Sequence, residues 1–146
     1  MEIQLRLCAA LLLASALAAC GMPASDSQAE QVQLQLTGTW LRDYEENGAR
    51  VRRVLVLAPD GHFEEMSNAT QADAILARHQ HSGDWYFDGI NLKRRYTLID
   101  GQKPIAPSLP YVALAVSFAS RNEFIGTDHV RRRELRYQRV ADGTLP

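Results

Sequence analysis

Short runs of β-forming residues, separated by turn signals, succeed one another along most of this 146-residue chain. The alternation is clearest in residues 90–99, where Ile90, Leu92, Tyr96 and Leu98 fall on one face and mostly polar residues on the other. A period of two with one apolar face is typical of an antiparallel sheet that is wetted on one side. The chain is therefore expected to fold as an all-β protein.

The sequence predicts eight strands, divided by turns such as Pro59-Asp60-Gly61 and Asp88-Gly89. They span residues 37–44, 50–58, 62–66, 82–87, 90–99, 111–118, 123–127 and 130–140. Eight strands in hairpin order favour closure into an antiparallel up-and-down barrel, because closure removes exposed edges. The alternative is an open, strongly bent sheet with a short helix across one end.

Two segments interrupt the strand pattern. Residues 103–110 carry three prolines, which predict an extended crossover. Residues 68–79 have helical spacing and predict the one short helix of the fold. The apolar side of this helix consists of Ala69, Ala72, Ile75 and Leu76.

The N-terminal segment has the pattern of a secretory signal. The apolar run 7–17 follows Arg6 and is too short to span a bilayer comfortably. It ends in Leu-Ala-Ala-Cys at residues 17–20, which resembles the lipobox of bacterial lipoproteins. The resemblance implies that residues 1–19 are removed as a signal peptide and that Cys20 is lipidated. The alternative is an ordinary secretory signal, cut at an Ala-x-Ala-like site.

Acyl chains such as palmitate on Cys20 imply a membrane anchor in the cell envelope, because three chains hold a protein firmly. Gly21 follows the cysteine where no Asp stands, which by the same resemblance favours the outer membrane, facing the periplasm. Residues 20–35 are mostly small and polar and predict a flexible tether. The barrel domain is expected at 36–140, with a C-terminal tail at 141–146.

Two Gly-x-Trp tripeptides, at residues 38–40 and 83–85, suggest a family. The chain resembles the small lipocalin-like domains of bacterial lipoproteins, which are calycin-type β-barrels. The resemblance implies that Trp40 closes the floor of the barrel. It also implies that an arginine from a late strand, Arg139 or Arg133, packs on that Trp.

Catalytic signals are missing from the sequence. It contains no Gly-x-Ser-x-Gly and no His-Glu-x-x-His motif. The adjacent acids Glu64-Glu65 and Glu45-Glu46 would point to opposite faces of a strand, which is poor geometry for a carboxylate pair that shares one substrate. A net charge of −1 argues against a nucleic-acid partner. We therefore expect neither an enzyme nor a cofactor.

The histidines offer an incomplete metal site. His79 and His81 would share one face of an extended segment, but no third ligand stands near them in sequence. Because a site needs three or four convergent ligands, we expect no metal here. His62 and His129 flank turns and are expected to be solvated.

Two functions remain open. In one, the barrel binds a small apolar or amphipathic ligand, and a cavity above ~300 Å³ with a mouth would favour this function. In the other, a barrel filled by side chains docks a protein partner of the envelope. Arg94 falls on an apolar face, so its charge needs Glu65 or a ligand anion as partner. The candidate interior residues are Trp40, Trp85, Arg94, Tyr96 and Tyr137.

Overall fold

The computed structural model describes residues 26–105 and 110–146. Its elements are α1 (Asp26–Leu36), β1 (Gly38–Glu46), β2 (Ala49–Leu57), β3 (His62–Gln71), β4 (Ala74–Phe87), β5 (Asn91–Ile99), β6 (Tyr111–Ser120), β7 (Glu123–Asp128) and β8 (Arg133–Val140). Each strand pairs antiparallel with the next, and β8 pairs with β1 to close a barrel. The predicted eight-stranded, all-β antiparallel barrel is confirmed. Of the predicted crossover, residues 103–105 form neither helix nor strand, and residues 106–109 lie outside the described part.

One end of the barrel is closed by aromatic packing. Trp40 is fully buried, and its ring meets Phe124 edge-on with centroids 4.7 Å apart. Phe124 in turn stacks on Tyr137 at 4.7 Å. Aromatic pairs at these distances and angles add to the free energy gained by burying their area. We call this end the floor, and the opposite end the mouth.

Arg139 closes the floor from outside. Its guanidinium lies 4.2 Å from the centre of the Trp40 ring and donates to the carbonyls of Gln35, at 2.5 Å, and Thr37, at 2.9 Å. Gly38 has a φ of +128°, and a side-chain carbon there would overlap this guanidinium. The positive φ favours glycine at position 38, and the absence of a side chain there leaves room for the guanidinium of Arg139. The arrangement is consistent with a calycin-like fold.

The helix predicted at residues 68–79 is wrong. This segment is a β-hairpin in which Asn68 pairs with Arg78, and its turn has positive φ at both Ala72 (47°) and Asp73 (64°). Pairing between β3 and β4 therefore overrides the local helical spacing. The apolar residues that were expected to form one side of the helix do not share a buried face, since Ile75 is 49% exposed.

The helix of the fold lies instead at Asp26–Leu36, where a flexible tether was predicted. Leu36 is fully buried, and Val32 packs against the core one turn earlier. The indole nitrogen of Trp40 donates to the Leu36 carbonyl at 2.7 Å. These contacts order the end of the segment, while residues 20–25 lie outside the described part. None of the described helical residues could form a membrane-spanning helix.

The alternation predicted for residues 90–99 holds from Leu92 to Tyr96 and fails at both ends. Ile90 precedes β5 and is 67% exposed. The pairing with β4 shifts by one residue after Tyr96, so Leu98 turns outward and Ile99 packs inward. A β-bulge of this kind inverts the faces of the rest of its strand. The alternation predicted for β6 is confirmed, with Val112, Leu114, Val116 and Phe118 packed inward.

Candidate ligand-binding cleft

A cleft of about 330 Å³ opens at the mouth of the barrel. Its apolar and aromatic wall includes Tyr96, Ile99, Val112, Leu135 and Tyr137. Its charged side chains are Arg53, Glu65, Arg94, Asp128, Arg131 and Arg133. The barrel is therefore packed at its floor and open at its mouth. Its interior is neither wholly filled by side chains nor wholly hollow.

A buried ion pair forms the base of the cleft. Arg94 Nη1 donates to Glu65 Oε2 at 2.5 Å, and both residues are only 2% exposed. The prediction that Arg94 enters the barrel and meets Glu65 is confirmed. Glu64 points outward, because neighbouring side chains on a strand alternate.

Arg53 brings a second guanidinium to the same carboxylate. Its Nη1 lies 3.6 Å from Glu65 Oε1. The Nε atoms of Arg53 and Arg94 are both buried, and neither has a hydrogen-bond partner among the described residues. The buried Arg94 and the partly exposed Arg53 thus share one anion, and the base of the cleft keeps unused donors.

The ionisation of these groups follows from their surroundings. Burial alone would raise the pKa of Glu65, but the charges of Arg94 and Arg53 outweigh it and hold that pKa below its usual range. Burial raises the pKa of Tyr96 to about 12 and also raises the pKa of Tyr137. At neutral pH the cleft therefore combines charged guanidinium groups with neutral phenols.

Asp128 organises the rim of the cleft. Its carboxylate accepts from the backbone nitrogens of Val130, at 3.1 Å, and Arg131, at 3.0 Å. It also forms ion pairs with the side chains of Arg131 at 3.2 Å and Arg133 at 3.9 Å. Arg133 therefore belongs to the mouth, and of the two predicted arginines it is Arg139 that packs on Trp40. The cleft has four guanidinium groups against two carboxylates.

All five predicted interior side chains are buried, namely Trp40, Trp85, Arg94, Tyr96 and Tyr137. Only Arg94, Tyr96 and Tyr137 line the cleft. Trp40 and Trp85 lie in the packed core below it, where Trp85 donates to the Ala58 carbonyl at 2.9 Å. The predicted lipidation site, Cys20, lies outside the described residues.

Sequence reasoning missed Arg53 and Asp128. Arg53 could have been found, since it shares the inward face of β2 with Val51 and Leu55. Asp128 depends on the turn that follows β7, which no alternation pattern describes. Among the histidines, His62 and His129 are exposed as predicted. His79 and His81 are brought to the mouth of the barrel, where Asp100 joins them.

No protein-family model matches the chain, and no curated protein is significantly similar to it. The geometry of the barrel and its cleft therefore carries the functional interpretation.

Proposed function

We propose that the chain is a lipoprotein of the cell envelope, anchored in the outer membrane through Cys20. Its barrel is a non-catalytic binding module for a small amphipathic ligand with an anionic head group. The observation that carries this proposal is the open cleft of about 330 Å³ above Arg94 and Arg53, which share the single carboxylate of Glu65.

The charge of the cleft favours an anion. Four guanidinium groups face two carboxylates, which leaves an excess of two positive charges among the described residues of the cleft. Buried charges are costly unless they are paired, so a ligand anion would relieve part of this cost. A guanidinium is suited to carboxylates and phosphates because it can donate two parallel hydrogen bonds.

The rest of the wall favours an apolar chain behind that head group. Ile99, Val112 and Leu135 present aliphatic surface to the same cleft. Its volume lies at the lower end of the range of small-molecule sites, ~300–1,000 Å³. A short-chain amphiphile fits these limits better than a complete phospholipid.

The binding proposal is tested with matched pairs of ligands. A chain without residues 1–20, checked for β-sheet circular dichroism, is titrated with hexanoate and with hexanol by calorimetry. We expect hexanoate to bind more tightly, and Arg94→Gln to weaken it about 10–150-fold. This range corresponds to a charged hydrogen bond of ~1.5–3 kcal/mol.

Arg95→Gln is the matched control. Arg95 is the next residue on β5, points outward and pairs with Asp84 on the surface. It should leave hexanoate binding unchanged. If Arg94→Gln does not fold, Arg53→Gln gives the same test from β2. Equal binding of the acid and the alcohol, or no binding of either, would refute the ligand proposal and favour the docking of a protein partner.

A further inference from the structure

Three potential metal ligands meet at the mouth of the barrel. His79 and His81 project from β4, and Asp100 comes from the turn after β5. His79 Nδ1 lies 2.9 Å from Asp100 Oδ2, and His81 Nδ1 lies 3.8 Å from Asp100 Oδ1. One ligand atom of each residue lies within 4.8 Å of the other two. A tetrahedral ion with bonds of ~2.0–2.1 Å separates its ligand atoms by about 3.3 Å, so small side-chain movements bring these atoms around one ion.

The imidazole of His81 has an unused nitrogen directed at this point. Its Nδ1 is buried and has no hydrogen-bond partner within the described part of the chain. The two histidine rings are stacked with centroids 5.9 Å apart and only 25° between their planes. The ring of Tyr96 also contacts His81 edge-on, with centroids 5.8 Å apart. The orientation of His81 is therefore fixed by packing, although its polar atom is unsatisfied.

Asp100 is fixed by the backbone. Its Oδ1 accepts from the backbone nitrogen of Gln80 at 2.9 Å, and its own backbone nitrogen donates to the Gln80 carbonyl at 2.7 Å. The turn gives Asp100 a φ of 49°, which is well tolerated by Asp and Asn. In metal sites, the carboxylate that binds the ion is typically oriented by hydrogen bonds of this kind.

We propose that His79, His81 and Asp100 form a binding site for one divalent transition-metal ion. Two imidazoles and a carboxylate are a suitable ligand set for Zn²⁺. Binding requires the neutral imidazole of His79 to carry its proton on Nε2, so that Nδ1 can coordinate. The carboxylate of Asp100 supplies one negative charge, which offsets part of the two positive charges of the ion.

The site would keep an open coordination position. Three protein ligands leave one position of a tetrahedral ion for water or for a group from solution. His81 also lines the cleft, whereas His79 and Asp100 line a more open depression of about 810 Å³ outside it. An ion here is accessible from the solvent, since the side chain of His79 is 50% exposed.

The test uses the full chain in mild detergent, without a histidine tag and with Cys8→Ser and Cys20→Ser, because free thiols bind the same ions. Zn²⁺ is titrated against a chromophoric chelator without any organic ligand. We expect one equivalent of Zn²⁺ to bind. His81→Ala, His79→Ala and Asp100→Asn should each weaken its affinity at least about tenfold, because even the loss of a group that only supports a ligand usually weakens metal binding by that factor. Bound Co²⁺ should show the strong visible absorption of a tetrahedral ion.

The double variant His62→Ala/His129→Ala is the matched control, since it removes two exposed histidines and spares the cluster. It should bind Zn²⁺ as the parent does. Because His79 is half exposed, His79→Ala decides the matter even if His81→Ala does not fold. Failure to bind Zn²⁺, or binding that survives His79→Ala or is lost in the double variant, would overturn the site. This result does not depend on the anion proposal.

Discussion

The carboxylate of Glu65 balances two guanidinium groups inside the barrel, so its charge links the cleft to the stability of the fold. A buried pair of this kind adds little net stability compared with apolar packing, but removing one partner leaves the other as an unpaired buried charge. Arg94 would then keep its charge with no anion at hydrogen-bond distance among the described residues.

The pH dependence of this pair has a definite sign. The pKa of Glu65 is lower in the folded barrel than in the unfolded chain, because Arg94 and Arg53 outweigh the effect of burial. Its contribution to the free energy of unfolding is therefore complete above the unfolded pKa of about 4.3. The contribution is lost as the pH falls through the lower, folded pKa.

Glu65→Gln should lower the free energy of unfolding at pH 7 by about 3–5 kcal/mol, the usual loss when one partner of a buried ion pair is removed. It should also reduce the loss of stability between neutral and acidic pH. Urea denaturation at several pH values measures both effects. Glu64→Gln, on the outward face of the same strand, is the control and should behave as the parent. Equal denaturation curves for the two variants would contradict the role of Glu65.

Among the elements, the floor joins α1 to the barrel through the side chains of Trp40 and Arg139, which both donate to carbonyls at the end of the helix. The Trp40 indole belongs to β1, donates to the last residue of α1 and lies beneath Arg139 of β8. The helix has few other buried residues, since Leu34 is 70% exposed and only Leu36 is fully buried. Its attachment therefore depends on this floor.

Trp40→Ala should cost about 3–5 kcal/mol of stability and release α1, because a large cavity replaces the ring. Trp40→Phe keeps an aromatic ring but loses the bond to the Leu36 carbonyl, and should cost less. Thermal unfolding measures the stability, and hydrogen exchange of the α1 amides measures the release. Tyr86→Ala, at an exposed aromatic on β4, should change stability by no more than about 0.5 kcal/mol. If Trp40→Ala leaves α1 as protected as in the parent, the floor does not hold the helix.

The strands could be predicted where one face is apolar, as in β2 and β6, whereas the hairpin at residues 68–79 and the bulge in β5 could not. Gly83 permits this irregularity, since a side-chain carbon there would overlap the carbonyl oxygen of Arg95. Such a close approach of two backbones leaves no trace in the alternation of hydrophobic residues. The bulge sets the direction of Leu98 and of every residue after it.

The third ligand of the histidine cluster could not be placed from the sequence. A two-residue turn at Asp88-Gly89 would put residue 100 opposite residue 77, whereas the observed pairing of Phe87 with Leu92, together with the bulge, puts it beside residue 80. Asp100 is therefore near His79 in space although it is distant in sequence. The helix at Asp26–Leu36 had only the weak signal of Val32 and Leu36 one turn apart. Its polar composition indicated a flexible tether. The floor on which it packs forms only in the folded barrel, so the sequence of the segment alone does not show that it is ordered.

On the scale of the whole molecule, the anchor remains a prediction from residues 17–20. Metabolic labelling with a palmitate analogue should tag the parent and Cys8→Ala, but not Cys20→Ala. Cys8→Ala is the control because it removes the other cysteine of the chain. Equal labelling of Cys20→Ala and the parent would contradict the assignment of Cys20.

With the proposed anchor at Cys20, the placement of α1 decides which way the barrel faces. Six residues lead from Cys20 to Asp26, at most about 20 Å of chain, and α1 ends at the floor. The cleft opens at the opposite end, among the turns after β5 and β7. If Cys20 is the anchor, the tether and α1 would connect the floor to the bilayer, and the opening would lie at the end of the barrel away from that connection. A ligand would then arrive by diffusion through water or by transfer from another carrier, and not by sideways exit from the membrane on which the protein sits.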